Sequence, residues 1–387
     1  MKRIYMDYAA TTYVKPEVLQ AMTPFFTEQF GNASSIHSFG RETRMAVEKA
    51  RAQVAAAISA QEKEIFFTSG GTEADNWAIR GTVALSKRGK HIITSAMEHH
   101  AVLHTCKQLE KEGFEVTYLP VDEEGFIRLD DLRAAIRPDT ALISIMFANN
   151  EIGAIQPVEE IGKIAHENGI PFHTDAVQAV GHELIDVDKL GIDLLSMSAH
   201  KFYGPKGVGA LYIRKGTRVQ NLLQGGAQER GRRPGTDNTP AIVGMGAAIE
   251  LAVKNMEQAH VRLSRLRDRM LNEIPAAIPY THLNGPIKNR LANNVNFSFS
   301  FIEGEALLLS LDLKGIAASS GSACTSGSLD PSHVLLAIGL PHETAHGSLR
   351  LTIGDATTDE DVDILLKELP IIVKRLREMS PLYHENN

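Results

Sequence analysis

Two cysteines in 387 residues, Cys106 and Cys324, cannot build a disulfide framework, and a chain this poor in them is expected in the reducing cytoplasm. Apolar runs are short, none approaching the ~20 residues of a membrane span. The N-terminus reaches Asp7 before any apolar stretch develops, so no secretory leader is expected. Positive charge is also in deficit: 40 Lys and Arg against 47 Asp and Glu give a net charge of −7, which argues against a general nucleic-acid binder. Arg230-Gly231-Arg232-Arg233 is a small local basic patch that this total does not remove. Internal repeats are absent, and the nearest approach to low complexity is a loop of small residues from Ser319 to Ser328. What remains is 43% hydrophobic and 22% charged, the composition of a soluble globular protein. The length suits roughly two to three domains.

From residue 64 onward short apolar runs alternate with helical patterns. Glu64–Thr68, His91–Ser95, Ala141–Phe147, Pro171–Thr174, Asp193–Met197 and Gly209–Arg214 read as strands. Thr72–Leu85, Ala101–Lys111, Pro157–Asn168 and the short Asp186–Leu190 read as helices. This alternation predicts an α/β fold with a mainly parallel sheet, whose ligands gather beyond the carboxyl ends of the strands. A long helix from Ala247 to about Glu273 changes the texture. Beyond it come strands at Val295–Phe301 and Ser348–Ile353, a short run at Gly315–Ala318 and a helix from Gly304. A last helix opens near Thr358, with Asp361 in a capping box, and Pro370 is expected to kink it. A large domain over residues 14–259 is therefore expected. Residues 1–13 and 260–387 would form a smaller α/β domain that carries the 319–328 loop.

The chemistry concentrates where strands end. Lys201 follows the apolar run Leu194–Met197, among Ser198, His200, Gly204, Pro205 and Gly207. A partly desolvated amine there loses its proton readily and suits a Schiff base with a carbonyl cofactor. Asp175 ends another strand, and pyridoxal phosphate needs such a pair: a lysine for its aldehyde and a carboxylate for its pyridinium nitrogen. Ser69-Gly70-Gly71-Thr72 sits where a strand turns into a helix, a place for phosphate on free N–H groups, although Thr72 as a plain helix cap reads almost as well. His99 follows a strand and suits stacking on a ring or proton transfer; His100 and His104 read as structural. Asn150 and Gln178 are strand-end amides able to meet a ring oxygen or a substrate. Arg350, in a strand with apolar neighbours, needs an anion: a substrate carboxylate, held with roughly 1.5–3 kcal/mol, or a protein carboxylate. The histidines lack zinc-like spacing, so no metal site is expected. Cys106 shares a helical face with Val102 and Leu109 and reads as a buried thiol. Cys324 has no apolar face to bury, which suggests a use for its reactivity.

These residues together resemble the pyridoxal-phosphate-dependent cysteine desulfurases, in the branch that includes NifS and IscS. The likeness runs through MDYAATT at Met6–Thr12, GNASSIHSFGR at Gly31–Arg41, TSGGTEADN at Thr68–Asn76 and MEHHAV at Met97–Val102. It continues in ANNEIG at Ala148–Gly153, HTDAVQAVG at His173–Gly181, SAHKFYGPKGVGALYIR at Ser198–Arg214 and RRPGTDN at Arg232–Asn238. It ends in SSGSACTSGSLDPSHVL at Ser319–Leu335 and LRLTIG at Leu349–Gly354. The resemblance implies the aspartate aminotransferase-like fold of pyridoxal-phosphate-dependent transferases and a homodimer. It assigns Lys201 as the Schiff-base lysine, Asp175 as pyridinium partner, Gln178 to the ring oxygen, and His99 to stacking and proton movement. Gly71, Thr72, Ser198 and His200 would bind the phosphate, joined by Thr236 from a second subunit. Asn32, Asn150 and Arg350 would hold the amino acid. L-cysteine would become L-alanine, its sulfur left as a persulfide on Cys324 and passed to a sulfur-acceptor or iron–sulfur scaffold protein; Cys324 could also ligate a transferred iron–sulfur cluster. No nucleic acid or membrane partner is implied. An aminotransferase or selenocysteine lyase of the same fold, or a non-catalytic assembly scaffold, are the rival readings.

Overall fold

The computed structural model describes residues 2–320, 331–381 and 383. Its strands are β1 (Ile4–Tyr5), β2 (Ile65–Thr68), β3 (His91–Ser95), β4 (Glu115–Leu119), β5 (Thr140–Ser144) and β6 (Phe172–Asp175). They continue with β7 (Leu194–Ser198), β8 (Gly209–Ile213), β9 (Thr281–Leu283), β10 (Asn294–Phe299), β11 (Ile316–Ala317) and β12 (Ser348–Thr352). The main sheet has seven strands in the order β2-β8-β7-β6-β5-β3-β4. Only β8 runs against its neighbours, pairing antiparallel with both β2 and β7. Side chains on successive strand positions feed opposite faces of this sheet. Ile65, Phe67, Ile93, Ile143 and Leu195 enter one core, and Phe66, Ile92, Leu142 and Leu194 enter the other.

A second, three-stranded antiparallel sheet has the order β12-β10-β9. Beside it β1 pairs in parallel with β11, Ile4 opposite Ile316. Ile4 and Met6 pack with Leu266, Phe297, Leu351 and Leu365 in the core of this unit. The N-terminal segment is thus held by residues from the far end of the chain.

The Thr239–Ala277 helix begins eight residues before the expected Ala247. Asn238 caps it by accepting the Ala241 N–H, and Gly246 lets it lie against Ala50 of the Ser38–Ala57 helix, where a β-carbon would sit 2.8 Å from the Ala50 Cβ. β4 was not expected from the sequence. It is an edge strand whose Glu115, Thr117 and Tyr118 form no apolar run, because only one side of it pairs. Asp186–Leu190 is a turn and not a helix: Asp186 Oδ1 accepts the Asp188 and Lys189 N–H groups, an arrangement that competes with helix continuation. The last helix, Asp359–Glu378, has the Thr358/Asp361 capping box and remains one element through Pro370.

Candidate active site

The carboxyl ends of β2, β3, β6 and β7 open on one cleft of about 320 Å³. Its walls bring together Gly71, Thr72, His99, Asp175, Ser198 and Lys201, with Asn150, Gln178, His200 and Arg350. Parallel strands separated by helical crossovers put their carboxyl ends on one side, which is why residues from positions 71 to 201 meet here; Arg350 reaches the cleft from β12 of the smaller antiparallel sheet.

Lys201 ends a single 3₁₀ turn, Ala199–Lys201, that follows β7 directly. Its Nζ donates to the Ala9 and Ala10 carbonyls, at 2.5 and 2.9 Å. Gln178 Nε2 reaches the same Ala9 carbonyl at 3.1 Å. Asp175 is buried at the end of β6, its Oδ1 accepting the Val177 N–H at 3.0 Å. Burial pushes its carboxyl up, opposed by the charges of His99 and Lys201. His99 caps the His100–Lys111 helix, with Nδ1 accepting the Ala101 N–H at 3.1 Å. Burial pushes the His99 imidazole down, so near neutrality it is uncharged and its proton sits on Nε2. His200 is pushed down to about 4 by burial and by the Lys201 and Lys206 charges, and its Nδ1 lies 3.1 Å from Thr11 Oγ1.

The Gly71–Ala84 helix starts at the cleft with no side chain capping it. Its leading N–H groups and dipole therefore face the cavity beside Thr72, Ser198 and His200. A β-carbon on Gly71 would lie 2.7 Å from Val177 Cγ2, so glycine is required for this approach.

Arg350 is buried in β12, and of the two anticipated anions the protein carboxylate is present. It lines the cleft, and its Nη2 also donates to Asp7 Oδ1 at 2.9 Å. Nη1 reaches the Asn150 carbonyl at 3.4 Å, and Nε is buried with no partner. Asn32 and Thr236 are exposed and do not line this cleft; Asn32 Oδ1 accepts the Ser34 N–H at 2.9 Å. Near Thr236, Arg233 makes a forked pair with Glu73, in the first turn of the Gly71–Ala84 helix. Cys324 lies outside the described residues. Cys106 is wholly buried beside Val102 and Leu109.

Two features of the site were not read from the sequence. Asp75 is fully buried on the helix that faces the cavity, and its carboxyl is pushed well above the usual range by burial and by Asp175. Asp75, His99 and Asp175 each place one ligating atom within 4.8 Å of the others, the only such trio suited to a metal ion among the described residues. An aspartate between Ala74 and Trp77, both buried, was the available signal. The second feature is the pair of carbonyls at Ala9 and Ala10. Backbone acceptors on alanines leave no trace in residue type.

Residues 4–365 match the aminotransferase class-V family. A cysteine desulfurase IscS of Clostridium botulinum (strain Hall) is 62% identical over 387 residues, covering 99% of this chain and 98% of its own. The cysteine desulfurase IscS of Methanosarcina thermophila is 61% identical over 382 residues, 98% of this chain and 94% of its own. Among solved structures, a NifS-like protein superposes with a TM-score of 0.91 at 40% identity, covering 97% of this chain and 100% of that one. SspA in complex with cysteine superposes at 0.80 and 39% identity, over 91% and 99% of the two chains. Full-length identity of this degree, on a fold that gathers a lysine, a buried aspartate and a histidine in one cleft, places the chain in the class-V aminotransferase family, among its cysteine desulfurases.

Proposed function

We propose that this cysteine desulfurase binds pyridoxal 5′-phosphate in the cleft, converts L-cysteine to L-alanine and leaves the sulfur as a persulfide on Cys324. The observation that carries the reading is the convergence of Lys201, Asp175 and His99 beside an uncapped helix N-terminus. The residues present fit the cofactor. The orphaned N–H groups of the Gly71–Ala84 helix, the Gly71 position and the Ser198 and His200 side chains offer donors to a phosphate. The Lys201 amine can hold the aldehyde carbon, and Asp175 can accept a hydrogen bond from the ring nitrogen. Bound there, pyridoxal phosphate supplies the electron sink that labilises the Cα–H bond and then the β-carbon–sulfur bond of cysteine.

The chain's own groups do the rest. Arg350 and Asn150 hold the substrate carboxylate. Lys201 Nζ moves the Cα proton, and the neutral His99, with its proton on Nε2, can give one up at the same site. The Cys324 thiolate attacks the substrate sulfur. Cysteine and one thiol thus yield alanine and one persulfide, with no outside oxidant or reductant. Exposed Thr236 is consistent with a role in a neighbouring subunit's site, which makes a homodimer the proposed assembly. A cytoplasmic location and a sulfur-acceptor or iron–sulfur scaffold protein as recipient complete the reading. No helix among the described residues is long and apolar enough to cross a membrane.

The test uses intact-protein mass spectrometry after exposure to L-cysteine. The native chain should gain one sulfur on Cys324 and release alanine, Cys324→Ser should gain none while keeping its cofactor absorbance, and Lys201→Ala should lose both the band and turnover. A persulfide on Cys324→Ser protein, or borohydride trapping of the cofactor on Lys206, would overturn the reading.

A further inference from the structure

The turn from Asn149 to Gly153 is a junction between the cleft and both ends of the segment that bears Cys324. Asn149 stiffens it: Oδ1 accepts the Glu151 and Ile152 N–H groups at 2.8 and 3.0 Å, and Nδ2 donates to the Met97 carbonyl. The next residue, Asn150, presents its carbonyl to Arg350 Nη1. Glu151 then points two ways. Its carbonyl accepts from Asn294 and Asn296 Nδ2 of β10, at 3.0 and 2.9 Å, and Asn296 is the cross-strand partner of Arg350. Its buried carboxyl accepts the Ser332 hydroxyl proton.

Ser332 lies eight residues beyond Cys324. Its Oγ accepts the Val334 and Leu335 N–H groups, at 3.1 and 3.3 Å, and so opens the His333–Ala337 helix. Val334 and Leu335 pack against Met97, Met146 and Ile152. The other end of the segment is fastened at Ser319, whose backbone exchanges two hydrogen bonds with Arg350, at 2.6 and 3.2 Å. One end therefore rides on the arginine that faces the substrate, and the other is fixed through Glu151 to the turn that arginine touches.

A carboxyl beside Ile152, Val334 and Leu335 is an expensive way to hold a helix end, since its burial must be offset by hydrogen bonds. Burial pushes it up to about 7, against the Ser332 bond and the Arg350 charge. Capping by Ser332 alone would hold the helix; what Glu151 adds is the link between that helix and the Arg350 wall.

We propose that Glu151 is a positioning residue for sulfur transfer, which by holding Ser332 fixes the chain eight residues beyond Cys324 relative to Arg350. This rests on Cys324 as the sulfur acceptor. The carboxyl touches neither the cofactor residues nor the substrate arginine's side chain directly, so its loss should separate sulfur transfer from substrate capture.

The experiment compares Glu151→Ala, Glu151→Gln and Ser332→Ala in the full-length holoenzyme. Single-turnover persulfide formation on Cys324 is followed together with the cofactor absorbance and the cysteine concentration at half-saturation. Glu151→Ala and Ser332→Ala should each slow persulfide formation about tenfold, the scale of one lost charge-assisted hydrogen bond. The other two readouts should stay within about twofold of the native protein, since neither contact reaches the cofactor or the substrate arginine's side chain. The double variant should be no slower than the slower single, and Glu151→Gln, which keeps an oxygen for the Ser332 hydroxyl, should recover most of the rate. An unchanged persulfide rate in Ser332→Ala overturns the proposal, as does a parallel loss of cofactor and substrate affinity in either alanine variant. Failure of the acceptor assignment itself would appear separately, as persulfide formation by Cys324→Ser protein.

Discussion

Arg350 and Asp7 form an ion pair, Nη2 to Oδ1 at 2.9 Å, in the wall of the cleft. The pair takes up one corner of the guanidinium and leaves its buried Nε without a partner. A carboxylate on the substrate would find the arginine already oriented by Asp7 and the Asn150 carbonyl. Arg350→Ala should therefore raise the half-saturating cysteine concentration about 10- to 100-fold, from a charged contact of roughly 1.5–3 kcal/mol. Arg350→Lys should recover only a small part, because an ammonium cannot serve both anions in a fork. Steady-state kinetics with parallel cofactor spectra check this; a normal half-saturation in Arg350→Ala would remove the arginine from substrate binding.

Gly71→Ala tests the phosphate side. The added methyl meets Val177 Cγ2 at 2.7 Å and must push it away, and Val177 is the residue whose N–H holds Asp175. Cofactor retention in dialysis should fall at least about tenfold, a cost of ~1.4 kcal/mol. The thermal transition of the apoprotein should move by only a few degrees, as expected for a change of about that size in a chain this long. Retention equal to the native protein would show that the helix start does not meet the phosphate.

Cys106 is sealed in the core, and burial, with the Glu98 and Glu110 charges, pushes its thiol up to about 12. A thiol reagent at neutral pH should leave Cys106 unmodified in the folded protein and label it once denaturant is added. Cys106→Ala should cost about 1–2 kcal/mol of stability, toward the low end for a small buried side chain. Rapid labelling of Cys106 in the native state would mean the core opens far more often than its packing implies.

Glu98 predicts a pH dependence of stability. It is fully buried, and although it accepts from the Ser95 hydroxyl and the Met146 N–H, burial pushes its carboxyl up from 4.5 to about 8. The folded state thus binds this proton more tightly than the unfolded chain does. Its stabilising effect is complete below 4.5 and is lost as the pH rises toward 8. His173, pushed down to about 3, works in the opposite sense below 6.5, so the comparison must be between variants. Relative to the native chain, Glu98→Gln should gain a few kcal/mol across that rise, at about 1.4 kcal/mol for each unit. Denaturant titrations at the two ends of the range measure it; parallel curves would mean that Glu98 ionises freely.

Lys201 was legible because it follows the apolar run Leu194–Met197. Asp175 ends a short strand with polar His173 and Thr174 inside it, and both residues sit in the cleft. β4 was not legible, since an edge strand needs no apolar run, and Asp186–Leu190 misled because its aspartate makes a turn that mimics a helix start. Asp75 was marked only by its buried neighbours Ala74 and Trp77, a weak sign on a helix, where adjacent positions turn to different faces. Asn32 and Thr236 came from likeness alone and lie exposed, away from this chain's own cleft. Arg350 required an anion on physical grounds, but whether from substrate or protein depended on Asp7, which lies 343 positions away in sequence.

The N-terminal segment has a consequence for how the protein is made. Residues 4 to 10 are made more than 300 residues before their partners in β11 and β12, so Asp7 and Ala9 must wait through that much synthesis. Until then the Lys201 amine lacks the carbonyls of an N-terminal segment docked at its final address. Loop closure over such a distance is slow compared with local helix and sheet formation. The nascent chain can therefore build its main sheet early and still lack a finished lysine pocket, and catalytic competence should arrive only once β12 has been made.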